Sequence, residues 1–74
     1  MSSTHTVTLN VRQRSTYLSA MCPDVPGLHV VGSTREELRR SAILGIKTLY
    51  KRNRGMDVEV LPTDDLSVLT VKTA

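Results

Sequence analysis

The sequence predicts an α+β domain with one helix packed on one face of a mainly antiparallel sheet. Thr6 to Arg14 alternates apolar Val7, Leu9 and Val11 with polar Thr8, Asn10 and Arg12, the period of a half-buried strand. Past Thr34, the residues Leu38, Ala42, Gly45, Ile46 and Leu49 fall on one helical face, with Arg40, Lys47 and Lys51 roughly opposite. Short apolar runs bounded by proline, glycine and aspartate supply the remaining strands. The length of 74 residues holds one domain. A chain of this size buries only about 60% of its extended surface, so it needs support from a disulfide, a metal or a second copy.

In chain order, residues 1–5 are polar and read as a disordered N-terminus, and Thr6 to Arg14 is the first strand. Ser15 and Thr16 break the alternation. Tyr17 to Cys22 is a second strand, with Leu18, Ala20 and Cys22 as its core face. Pro23-Asp24-Val25-Pro26-Gly27 is a stiff connection, because two prolines lack an N–H and Gly27 invites positive φ. Leu28 to Val31 is a short third strand. Thr34 with Glu37, or Ser33 with Glu36 one residue earlier, forms a capping box at the helix start. Small residues at Ala42 and Gly45 let the helix sit close to the sheet, and the helix frays around Arg52 to Gly55. Val58 and Val60 mark a fourth strand, Pro62 to Asp65 a turn, and residues 66–72 an additional C-terminal strand with Leu69 and Val71 facing in. A right-handed crossover through the helix sets strand four parallel to strand one, in the order 3-2-1-4-5. The uncovered face then carries Thr6, Thr8, Asn10, Tyr17, Ser19 and Met21, a surface suited to pairing with another subunit or a partner.

Ten Lys+Arg against seven Asp+Glu give a net charge of +3, unevenly spread. Seven basic residues lie between Arg35 and Arg54 against only Glu36 and Glu37, whereas Asp57, Glu59, Asp64 and Asp65 face Lys72 alone. Cys22 is the only cysteine, which excludes an intrachain disulfide and fits a reducing cytoplasm. His5, His29 and Cys22 are too few and too scattered for a zinc site, so no cofactor or metal is expected and oligomerisation remains as the support. No run has the length of a membrane span or the pattern of a signal peptide. His29, Ser33 and Asp24 do not form a catalytic triad, since no nucleophile elbow precedes a helix.

The string Tyr17-Leu18-Ser19-Ala20-Met21-Cys22-Pro23-Asp24-Val25-Pro26-Gly27, a short strand, then Gly32-Ser33-Thr34-Arg35-Glu36-Glu37-Leu38, resembles the N-terminal domain of HicB-type antitoxins. There a Pro-Asp-Leu-Pro-Gly turn is followed by a Gly-Asp-Thr-x-Glu-Glu-Ala helix start. The likeness covers residues 6–61, the core motif of a single HicB-like domain over 1–74. It implies a partial RNase H-like fold in a protein that binds and masks a small RNA-cleaving HicA-type toxin. Many relatives add a C-terminal DNA-binding segment; ending at Ala74, this chain is expected to be a stand-alone member without one. The two-metal chemistry of RNase H needs carboxylates on the first strand, and Thr6 to Arg14 contains none, so the expected role is binding rather than catalysis. Candidate partner contacts are Tyr17, Met21, Asp24, Asp57 and Glu59, the partner being a small toxin-like protein and a homodimer or higher oligomer also expected. The alternatives are an RNA- or DNA-binding accessory protein using Arg40, Lys47, Lys51 and Arg54, and a self-associating scaffold.

Overall fold

The computed structural model of the protein describes residues 3–73. Its elements run β1 (Ser3–Thr8), β2 (Asn10–Gln13), β3 (Leu18–Met21), β4 (His29–Gly32), α1 (Arg35–Arg54), β5 (Val58–Pro62) and β6 (Val68–Thr73). The ladders are all antiparallel and make two three-stranded sheets, ordered β1-β6-β5 and β2-β3-β4.

The long first strand becomes β1 and β2, separated by Leu9. Its alternation runs unbroken through the junction, with Val7 and Leu9 buried and Val11 half-buried against the same core. What changes is the partner. The Leu9 N–H donates to the Ser67 carbonyl at 2.7 Å, continuing the β6 ladder, whereas Arg14 N–H donates to the Tyr17 carbonyl at 2.8 Å on the β3 side. Odd-numbered backbone groups thus face β6 and even-numbered ones face β3, so the two sheets lie on opposite sides of one run. Ser3, Thr4 and His5, expected as a disordered N-terminus, pair with Thr73, Lys72 and Val71 in β1; residues 1 and 2 lie outside the described residues.

The expected strand order needs correction. β4-β3-β2 reproduces its 3-2-1 part, but β6 lies beside the first strand and β5 beyond it, giving 3-2-1-5-4. β5 does run parallel to β1, one strand removed. The reason lies in the side chains. β6 buries Leu69 and Val71 completely, worth about 1.5–3 kcal/mol each when withdrawn from water. β5 exposes Glu59 and Leu61 and ends on Pro62, which has no N–H to give and suits an edge.

α1 packs on one face, against β3, β4 and β5. Thr34 caps it from an extended conformation (φ −131°, ψ 165°), its Oγ1 accepting from the Glu37 N–H at 3.1 Å. The Glu37 carboxylate accepts from the Ser33 N–H at 2.8 Å, one residue before the cap. The helix runs to Arg54 without the expected fraying and stops at Gly55, whose φ of 64° is the left-handed region. Leu38, Ala42, Ile46 and Tyr50 are its buried residues, with Gly45 and Leu49 half-buried, so Tyr50 joins the expected stripe in the core.

Helix and sheet meet at Gly32 and Gly45. A Cβ on Gly32 would lie 2.7 Å from the Leu38 backbone nitrogen, and one on Gly45 would lie 2.7 Å from Leu28 Cδ1. The first neighbour is fixed backbone and the second is the end of a flexible side chain. Gly32→Ala should therefore destabilise by about 1–3 kcal/mol. Gly45→Ala should be far milder, since about 1 kcal/mol of helix propensity offsets the crowding. Urea unfolding midpoints of the two variants check this contrast.

Candidate functional site

The face of the sheets turned away from α1 has no element over it among the described residues. Register fixes what stands there: Asn10, Met21 and His29 in one cross-strand row, Arg12, Ser19 and Val31 in the next. Ser19 is the small member at the centre of the second row, on the middle strand. Met21 and Val31 are 58% and 52% exposed, while Ser19 is only 5% exposed. Ser19 was expected as part of an exposed surface; it lies on that face but at its floor, because its long neighbours overtop it. The resulting depression has a volume of about 570 Å³, and its polar rim comes from Asn10, Arg12, Arg14 and His29. Among the described residues no carboxylate lines it. Further along, the same face carries Thr4, Thr6, Thr8 and Thr70, with Glu59 opposite Lys72.

Of the five expected partner contacts, the structure gathers three on this face. Met21 borders the depression, Tyr17 stands at the hairpin end, 44% exposed, and Glu59 is on the edge strand β5. Asp24 belongs elsewhere, in a small cleft with Asn53 and Arg54 at the helix C-terminus. Asp57 follows the helix and pairs with Lys51 at 3.4 Å. The acidic segment is therefore no single patch. Asp65 serves its own turn, accepting from the Ser67 N–H at 2.9 Å and the Ser67 hydroxyl at 2.7 Å. Those bonds, with Arg35 contributing less, hold its carboxyl below the usual range.

The four basic residues proposed for nucleic acid divide as well. Lys51 is bridged to Asp57, and the Arg54 guanidinium lies 5.2 Å from the centre of the Tyr50 ring. Arg40 and Lys47 remain on the outer face beside Leu44, which is 63% exposed. Two cations about two turns apart make a short track for phosphates.

Cys22 is buried, and burial pushes its thiol up against the opposing pull of the Asp24 and Val25 backbone N–H groups. His5 bonds the Tyr50 hydroxyl at 3.1 Å, tying β1 to the helix. Among the described residues no three His, Cys, Asp or Glu side chains converge as a metal site would require, and no helix is long and apolar enough to cross a membrane.

No protein-family model matches the chain, and no curated protein or solved structure is significantly similar to it. Sequence reasoning named Met21 but passed over Arg12, Arg14 and His29 as a group. The available signal was their parity: Arg12 and Arg14 alternate out of the same strand that sends Val7, Leu9 and Val11 inward.

Two outcomes follow from the local chemistry. Cys22 should react with a thiol reagent far more slowly in the native chain than in urea, as absorbance of the released thiolate reports. A carboxyl with a lowered folded value stabilises above its unfolded value, and that stability is lost as pH falls through the folded one. The stability deficit of Asp65→Asn relative to the parent, measured by urea unfolding at stepped pH, should accordingly be present at neutral pH and vanish on acidification.

Proposed function

We propose that the protein is a non-catalytic binding module that seats a partner protein on its open sheet face. One observation carries the reading: the helix covers one face of the sheets, and the other holds a depression bordered by exposed Met21, with exposed Val31 on the same face beside it. Apolar side chains raised around a hollow and rimmed by polar groups are the usual make-up of a protein contact. The likeness to HicB-type antitoxins names the partner class, a small RNA-cleaving toxin whose active site would be masked. A HicB-like fold is consistent with the β4-β3-β2 meander followed by α1, with β6 inserted beside the first strand as the difference. A cytoplasmic setting fits the single buried thiol. Self-association is a companion proposal, because a core of thirteen buried apolar residues among those described is small and a second copy would extend it.

A second reading places RNA or DNA on the helix face, supported by Arg40 and Lys47, which carry no intramolecular ion pair among the described residues. The two readings separate on salt. Phosphate contacts weaken steeply as salt rises, whereas an apolar contact does not.

Co-expression with the product of the adjoining reading frame, followed by purification at low and high salt with nuclease, tests the assignment. A complex should survive both treatments. Met21→Glu should weaken it at least about tenfold, while the double change Arg40→Glu with Lys47→Glu should leave it intact. Absence of a complex, or nucleic acid that departs at high salt, would sink the proposal.

A further inference from the structure

We infer that the depression over Ser19 is a recognition site for an acidic, extended segment of a protein partner, with Arg12 and Arg14 as the groups that read its carboxylates. This deepens the partner-binding reading and rests on it. Arg12 and Arg14 project from the same face of one strand run, about 7 Å apart along it. Neither has an ion pair among the described residues, and no carboxylate lines the depression they border. Uncompensated guanidinium groups beside a hollow favour an anionic occupant, and their planar forks match carboxylates bidentately.

Geometry separates a peptide from a nucleic acid here. The helix lies on the opposite face, so Arg40 and Lys47 cannot extend the basic surface around Arg12 into one continuous track. Among the described residues no Phe, Tyr or Trp lines the depression, which leaves the His29 imidazole as its one aromatic ring to stack a base. Instead Met21 and Leu28 contribute apolar surface next to the arginines, and Ser19 leaves space for an entering side chain. An extended peptide alternating acidic and apolar residues meets both features, its side chains repeating at the period of the strands beneath.

The test uses the full chain and a fluorescein-labelled decapeptide of alternating leucine and glutamate, with the leucine–glutamine counterpart and oligo-uridylate as the other probes. Amide shifts in a nitrogen-15 correlation spectrum map each site. The glutamate peptide should move Arg12, Ser19, Met21 and His29 saturably, and the glutamine peptide should bind at least about tenfold more weakly. Arg12→Ala with Arg14→Ala should cost a similar factor while the remaining spectrum stays in place, and Arg12→Lys alone should recover part of it. Absence of saturation by about 1 mM, equal binding of both peptides, or tighter binding of oligo-uridylate at the same residues would overturn the inference. Failure of the two readings differs in appearance. A toxin complex broken by Met21→Glu but indifferent to the arginine changes would refute the acidic-segment assignment alone, whereas no complex at all refutes the partner reading and leaves the peptide titration to judge the depression.

Discussion

Leu9 is where a single run of chain passes from one sheet to the other, and the core is arranged around that passage. Its N–H closes the last bond toward Ser67, while its side chain stays in line with Val7 and Val11. Because side-chain direction survives the change of partner, the two small sheets share one apolar face. A 20-residue helix can then cover both. Were the alternation to slip by one residue at Leu9, the apolar set of β2 would turn outward and Arg12 would face the core in place of Val11. Gly32 and Gly45 let the helix approach as closely as that shared face permits.

The same geometry sets out the chemistry. Even-numbered side chains of the first run point away from the helix, so Asn10, Arg12 and Arg14 arrive on one surface with the small Ser19 between them and β4. Arg40, Lys47, Lys51 and Arg54 belong to the helix on the other side of the molecule, and half of them are engaged by Asp57 and Tyr50. Positive charge is therefore divided between opposite faces instead of joined in one stripe. A net charge of +3 distributed in this way favours point recognition over tracking along a polyanion.

Local features were legible where a short-range rule fixes them. The period of Thr6 to Arg14 gave its buried side chains, the Thr34 and Glu37 spacing gave the cap, and Gly55 gave the stop. Strand order was not legible from the crossover rule, which relates β5 to β1 in direction without saying what lies between them. Pro62 carried the missing information, since a strand ending on a residue without an N–H belongs at an edge, and the neighbouring slot then falls to β6. Helical angle alone leaves Tyr50 off the stripe of Leu38 to Leu49; the contact with His5 across the end of β1 draws it in. The depression depends on cross-strand neighbours that sequence spacing does not display, so Ser19 reads as surface until β2 and β4 are set beside it.

Pairing of β1 with β6 places Ser3 beside Thr73, with the two hydroxyls in contact and Ser3 N–H donating to Thr73 Oγ1 at 3.2 Å. The outermost rung of this ladder thus joins residues 70 positions apart. Such a closure is among the last contacts a folding chain can make, because the largest loop must form first. It also governs the response to tension. Force applied at the two ends pulls the antiparallel strands apart like a zipper, loading one pair of hydrogen bonds at a time from Ser3 toward Thr8. Resistance to stretching is consequently low, although the strand being peeled away carries Val7, one of the most deeply buried side chains of the fold.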